Sequence, residues 1–575
     1  MDKARSSKDI RKLVVVSLLI GVMLVSSVFA LSVTAQPAVG GSIVIALSAE
    51  PMNVDPLTGS WNGGFVGGQL FESLLKFQND LSIAPNLATS WSVDPVQGTY
   101  TFKLRNDVKW SDGQPFTSQD VKFSFENILS KYDVFGSFYF ANSTVSTPDN
   151  YTAILKPGIF LQGIQLQLLA SGNGVIYPKH VLEGQDFLKS TFRTTNPIGT
   201  GPYIMKQWVA GQFIELVRNP YYWDKPKPYI DKITIKFISD PAAIIAGLKS
   251  GEINYVVPEG IPYEAVNSFK QISTLNVTLS QRPPYVGAIW FNTKAPIVSD
   301  VNVRRAISYA LNRSDIIAKA TAGIAAHGQA SIDPNFVPPS PNMVFYNYDV
   351  EKANSMLDAA GYKRSANGTR FTLELLVPNS QPELVNLAQL VRSQLADVGI
   401  SVSVKLTDFG TYLTLSGQGD FQMFGVTYWT SPIWTYSLFH SRWIGKGIFL
   451  NPTQYSNPQL DELLEKWLRT SEHSEQVKVL QQIEDIISQD VPVIVLYQIN
   501  WVYVRSNFIQ GPDIPDGKYV FVDSLANEYI VSSTTTPGSG QLFPIEYLVA
   551  AVAAVIVIVV AVWFILVKRK KQPAK

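Results

Sequence analysis

Apolar and polar positions alternate most regularly between residues 87 and 129. Tyr100, Phe102 and Leu104 alternate with Thr101, Lys103 and Arg105, the two-residue period of a half-buried strand. Val108 and Trp110 extend the pattern until Ser111-Asp112-Gly113 turns the chain. Thr117, with Asp120 three residues on, reads as a helix N-cap, and Val121, Phe125, Ile128 and Leu129 then share one face. Earlier in the chain, SIVIAL from Ser42 is a buried-strand pattern, Trp61-Asn62-Gly63-Gly64 a loop, and Gly67 to Leu75 the start of a helix. Phe213 to Arg218 and Ile233 to Phe237 read as strands, and Pro241 to Ser250 as a helix.

The later half alternates between the two periods. Val303, Ala306, Ile307 and Ala310 make a helical stripe, with Ser314 as cap of the helix after it. Asp349 caps a helix carrying Ala353, Met356, Leu357 and Ala360, ended by Gly361. Strand 371–377, helix 384–395 and strand 400–406 predict a crossover in a largely parallel sheet. Residues 457–497 read as two helices and a buried strand. The overall prediction is α/β.

A chain of 575 residues exceeds one ordinary core, so two or more lobes are expected. The net charge of +1 hides an asymmetry. Residues 1–35 carry five Lys/Arg and two Asp/Glu, and residues 568–575 carry five Lys/Arg and no acid. Without these ends 37 basic and 44 acidic residues remain, a net of −7. A mildly acidic body with no basic run excludes nucleic acid as the expected partner. Basic residues ahead of LVVVSLLIGVMLVSSVFALSV, and Val33-Thr34-Ala35 after it, read as a signal peptide over 1–35, cleaved or retained. The uncharged run Tyr547 to Val567 would be about 31 Å long as a helix, enough to span a membrane. Lys568-Arg569-Lys570-Lys571 after it predicts a cytoplasmic tail and a body outside. Residues 531–543 read as a polar tether and 544–567 as the transmembrane segment.

No enzyme centre assembles from the residue types. His180, His327, His440 and His473 lack metal-ligand spacing, cysteine is absent, and no phosphate-cradling loop or nucleophile elbow is present. No metal or cofactor is expected. With no cysteine, the body must be held by its own core. Asn142, Asn150, Asn276, Asn312 and Asn367 stand in glycosylation sequons, each a weak signal alone.

DVKWSDGQPFTSQDVKFSF closely resembles the signature of the family 5 solute-binding proteins, the dipeptide and oligopeptide receptors of ABC importers. NPIGTGPYIMKQWVAGQFIELVRNPYYW, FNTKAPIVSDVNVRRAISYALNRSDII and YDVEKANSMLDAAGY match further blocks in the family's order, so the resemblance spans about Gly41 to Pro512. It implies a two-lobed, class II-like periplasmic-binding-protein fold: lobe I over 41–283 with an extra subdomain at about 60–195, lobe II over 284–495, and a return to lobe I over 496–530. Hinge crossings are expected near 280–286 and 496–503. The lack of a lipobox cysteine, the C-terminal anchor and the sequons together look like an archaeal surface receptor.

The same resemblance directs attention to Gly425-Val426-Thr427-Tyr428-Trp429-Thr430-Ser431-Pro432-Ile433-Trp434. Peptide-binding members carry here approximately G-W-x-x-D-Y-x-D-P, whose first aspartate pairs with the peptide's amino group. Trp429 stands in that aspartate's place. Losing a buried carboxylate argues against a free amino terminus as the main ligand. Aromatic surface (Tyr428, Trp429, Trp434, Tyr436 and Phe439) suits the faces of sugar rings, and is equally the composition of a core. Trp429, Tyr428, Trp434, Trp61, Asn62 and Phe439 are therefore the candidate ligand contacts. The expected function is capture of an oligopeptide- or oligosaccharide-like solute by hinge closure, as a monomer. Its partners would be permease subunits with cytoplasmic ATPases. A tethered surface hydrolase and a structural or sensory surface protein are the rivals.

Overall fold

The computed structural model describes residues 37, 39–57, 61–78, 82–133, 136–257, 262–279, 285–334, 336–447, 450–511 and 524–531. Residues 40–528 form one compact unit, the larger of two into which the chain divides. The expected signal segment, transmembrane segment and basic tail lie outside the described residues, as does the tether apart from Val531. Among the described residues no helix is long and apolar enough to cross a membrane.

The larger unit holds most of its strands in three principal sheets, with β2 and β3 paired apart from them. In chain order they are β1 (Ser42–Leu47), β2 (Leu75–Phe77), β3 (Ile83–Pro85), β4 (Ala88–Asp94), β5 (Thr99–Leu104), β6 (Thr144–Asp149), β7 (Thr152–Lys156), β8 (Tyr203–Val209), β9 (Phe213–Arg218) and β10 (Lys232–Phe237). β11 (Tyr255–Val256), β12 (Leu275–Leu279), β13 (Tyr285–Phe291), β14 (Phe371–Pro378), β15 (Ile400–Thr407), β16 (Met423–Trp429), β17 (Val493–Ile499) and β18 (Val502–Ser506) follow. Among the described residues, the first lobe has a seven-stranded sheet ordered β12-β18-β11-β1-β10-β9-β8. The second has a five-stranded sheet ordered β15-β14-β16-β13-β17, and β4-β5-β7-β6 form a subdomain sheet.

The stretch 87–129 builds that subdomain. Tyr100, Phe102 and Leu104 point inward from β5 as the alternation requires. The strand stops at Leu104 where the chain bends, so Val108 and Trp110 are buried from a loop. Thr117 closes a full capping box: its hydroxyl accepts from Gln119 N–H, and Asp120 accepts from Thr117 N–H at 2.9 Å.

The expected loop at Trp61 is instead the start of a helix, Trp61–Leu70, and Leu75 opens β2. Tertiary packing overrides the low helix propensity of its glycines. A Cβ on Gly63 would lie 2.2 Å from the Asn53 carbonyl oxygen, and one on Gly67 2.5 Å from that of Val54. The backbone of this helix lies directly against its neighbour.

In the second lobe, β14 pairs parallel with β15 and β16, joined to β15 through the helix Pro382–Asp397. β13 runs antiparallel to both β16 and β17, so the sheet is mixed. Leu384, Leu387, Ala388, Val391 and Leu395 bury the expected helix face in one core with Ile289, Leu375 and Ile494. The cap of the helix Arg313–Ala320 is Asn312, which accepts from Asp315 N–H at 3.1 Å, and not Ser314. An amide side chain one residue before the first turn reaches the free N–H groups; the next residue is already helical.

The lobes are joined twice. β12 of the first sheet and β13 of the second flank residues 280–284, which lie outside the described residues. β17 passes into β18 through Asn500 and Trp501, and Asn500 donates to the Ile324 carbonyl at 2.9 Å.

Candidate functional site

Strand ends position the site. A cavity of about 690 Å³ lies between the lobes, within the range of small-molecule sites. Ser48 reaches it just beyond β1, Ser380 to Glu383 just beyond β14, and Thr427 from the end of β16. Ligand sites in α/β sheets collect at the carboxyl ends of strands for this reason: loops of several strands converge there. From the first lobe, the helix starts at Pro241 and Tyr263 complete the wall. Asn500 and Trp501, the crossing residues, form part of the floor.

At the register position where β13, β16 and β17 meet, Tyr285 faces Trp429 on one side and Ile499 on the other. The Trp429 ring stands edge-to-face to Tyr285 at 4.8 Å and to Trp501 at 5.4 Å. Tyr285 and Trp501 line the cavity, and half-buried Trp429 buttresses them. One step along, Gly287 is opposite Thr427 and Tyr497. A Cβ at Gly287 would lie 2.2 Å from the Tyr497 ring, so only glycine lets that ring cross β13 into the cavity wall.

The charged lining of the cavity is acidic. Glu264 and Glu383 line it, and among the described residues no lysine or arginine does. Burial pushes the Glu383 carboxyl above the usual carboxylate range, opposed by its own backbone N–H. Burial, the Glu383 charge and Tyr263 keep the Tyr497 phenol protonated far above neutral pH. Among the described residues no group of three or more His, Cys, Asp or Glu could hold a metal ion.

The six sequence candidates do not form one cluster. Trp429 packs edge-to-face on two lining residues, Tyr285 and Trp501. Tyr428, one residue earlier, necessarily faces the other side of β16, where it is buried against Trp290 at 5.2 Å. Phe439 is fully buried at the end of the helix Pro432–Phe439, and Trp434 is half-buried in the same helix. The neighbouring Tyr436 is also buried, and its hydroxyl donates to Glu465 at 2.9 Å. Asn62 spends its side-chain N–H on the Ala49 carbonyl at 2.9 Å. Trp61 is the first residue of its helix.

Glu383, Tyr497, Tyr285 and Trp501 were not legible as site residues. An acid in the first turn of a helix reads as complementing the helix dipole, and three aromatics in apolar strands read as core. The matching sequence blocks are themselves structural. Arg304 places five N–H···O contacts on the carbonyls of Val298, Ser299, Asp490 and Val491. Arg313 does the same for Val495, Ser308 and Tyr346. Gly199 and Gly201 lie so close to Leu70 that a Cβ would stand 1.8 Å from its oxygen and 2.6 Å from its carbonyl carbon respectively.

Comparison with known proteins agrees with this architecture. Residues 82–448 match the family model of the bacterial extracellular solute-binding proteins, family 5 middle. A putative ABC transporter peptide-binding protein of Brucella ovis is 33% identical over 371 residues, covering 63% of this chain and 67% of that protein. The oligopeptide-binding protein AppA of Bacillus subtilis is 27% identical over 491 residues, covering 81% and 87%. The structure of AppA with a nonapeptide superposes with a TM-score of 0.73 at 24% identity, covering 86% of this chain and 100% of that one. The two-lobed periplasmic-binding-protein fold and the matched length together place the chain in family 5 of the extracellular solute-binding proteins, the substrate-binding components of ABC importers.

Proposed function

We propose that the cavity between the lobes captures short peptide-like solutes and that closure of the lobes around them is what the permease reads. The observation that carries this is a single cavity walled by both lobes at the carboxyl ends of β1, β14 and β16. Binding energy shared between two lobes favours the closed arrangement over the open one. The peptide class is supported by the relatives, which are peptide-binding proteins by name. The body is held outside the membrane by the apolar run Tyr547 to Val567, with the basic residues after it inside. This is the C-terminally anchored, archaeal-like form of the family.

A second reading is an oligosaccharide. Trp429 in the place of the motif's aspartate, backed by Tyr285 and Trp501, favours a flat neutral solute. A thermal-shift screen of the whole chain against tetrapeptides and maltotetraose decides between them, because a ligand stabilises only the state that binds it. Tetrapeptides should raise the melting temperature by several degrees. A rise with the sugar alone overturns the peptide class, and no rise with either overturns the cavity as a solute site.

A further inference from the structure

Two consecutive residues of one turn lie in the cores of different lobes. The turn, residues 321–326, follows the second-lobe helix Arg313–Ala320. Ala325 belongs to the core of the second lobe, with Ile316, Ile317 and Leu496. Ile324 belongs instead to the core of the first, with Ala46, Leu248, Val256, Phe269 and Val504, and is only 9% exposed. Every other residue of that core comes from the first lobe. The turn is braced from within. Ala322 and Gly323 both take left-handed backbone, at φ 49° and 74°, which turns the chain sharply out of the helix. The buried Thr321 hydroxyl donates to the Ile317 carbonyl at 2.8 Å and accepts from Ala325 N–H at 3.3 Å. The turn is also tied to the second crossing between the lobes. Asn500 donates to the Ile324 carbonyl at 2.9 Å, and Ala326 and Gln498 exchange backbone hydrogen bonds at 2.8 and 2.9 Å. Ala320 lines the cavity, as do Ile244 and Val502 from the core that holds Ile324, so the turn stands behind the cavity wall. Ordinary core filling explains a buried isoleucine; it does not explain why its neighbour is buried in the other lobe.

We infer that Ile324 is a positioning residue for solute capture, a third attachment between the lobes that fixes the axis of their closure. This rests on the proposed closure of the lobes around solute. Two chain crossings alone leave the lobes free to twist and slide as well as to bend. A side chain seated in the opposite core resists withdrawal, because its apolar surface would return to water. Ile324 is bonded to the Asn500 crossing, so bending there leaves it seated, while sliding pulls it out. The open state is thereby narrowed to arrangements from which the lobes can close, and less ordering is left for the solute to supply. Ile324 itself does not line the cavity; it acts through the geometry of the two lobes.

The test is the distance between spin labels on the full chain in detergent micelles. Lys249→Cys and Arg392→Cys place one label on each lobe, at exposed positions. Without solute, Ile324→Ala should widen the distance distribution roughly twofold over that of the labelled parent. Leu248→Ala is the matched control, since it empties part of the same core from a residue of the first lobe. It should lower the melting temperature at least as much as Ile324→Ala does, yet keep the parental width. Affinity for whichever of tetraalanine and maltotetraose shortens the parental distance should fall roughly tenfold in Ile324→Ala and far less in Leu248→Ala. A parental width in Ile324→Ala, or equal broadening in both variants, overturns the third attachment and leaves Ile324 as core packing. A parental distance that neither tetraalanine nor maltotetraose shortens overturns closure itself, and the role of Ile324 in capture with it. If Ile324→Ala proves unfolded by its melting curve, Asn500→Ala, which frees the Ile324 carbonyl, decides by the same broadening without solute.

Discussion

At the scale of single residues, buried charge sets how this protein responds to pH. Glu72 is almost fully buried and accepts from the Trp223 indole N–H at 3.1 Å. The Arg105 guanidinium lies over the Trp223 ring, 3.7 Å from its centroid. Burial outweighs these favourable contacts and pushes the Glu72 carboxyl up to about 7. A carboxyl whose folded value is raised stabilises the fold fully below its unfolded value of 4.5, and that contribution is lost as pH rises to about 7. Between those limits the residue should cost the protein about 3 kcal/mol. Glu72→Gln stays neutral, so its urea midpoint relative to the parent should improve from pH 5 to pH 8. Parallel midpoints at both pH values would show that Glu72 ionises freely in the fold. The same scale explains why Arg304 and Arg313 mark the sequence so strongly: each satisfies several buried carbonyls that another side chain would leave unpaired.

At the scale of elements, β13 carries the site. It is the antiparallel strand in the second sheet, and its small residue at position 287 admits the Tyr497 ring. Gly287→Val should therefore displace that ring and destabilise the protein by about 2 kcal/mol, the usual size for overpacking. Solute binding should be lost with it. Adding Tyr497→Ala should restore much of the stability, since the clash disappears, while binding stays lost. Strictly additive effects in the double variant would rule out this contact. Alternation along β16 explains the fate of its aromatics: Thr427 and Trp429 face the cleft side, and Tyr428 the core.

Taken as a whole, the larger unit brings the extra subdomain against the second lobe. Phe138 stacks on Tyr436 at 5.7 Å, with the Arg442 guanidinium 4.9 Å from the Phe138 ring centroid. Beside them the helix Gln162–Leu169 approaches so closely that a Cβ on Gly163 would lie 2.3 Å from the Thr470 carbonyl oxygen. Gly163→Val should hold the subdomain and second lobe apart, biasing the lobes open and weakening solute affinity roughly tenfold, about 1.4 kcal/mol. The chain has no cysteine, so Lys249→Cys and Arg392→Cys can carry a pair of spin labels without background. Their separation should shorten on adding solute to the parent and stay long in Gly163→Val. Identical distance distributions in both would show that this contact has no part in closure.

The sequence by itself determined the elements and the family. Period-two and period-3.6 patterns are local, so β5, the helix Pro382–Asp397 and the Thr117 cap could be read one residue at a time. The matching blocks were legible because buried arginines and close-packed glycines tolerate few alternatives. Membership of the solute-binding family follows from them. Only the tertiary structure decided which side chains meet in the cleft. Glu383, Thr427, Tyr497 and Glu264 are far apart in the chain, and each has an ordinary local explanation as a helix start or strand residue. The helix at Trp61 was hidden for a related reason: its glycines are disfavoured locally, and what holds them is the backbone of residues 53 and 54 lying against them. Local propensity fixes where elements form; which of their faces becomes a site depends on which distant element packs opposite.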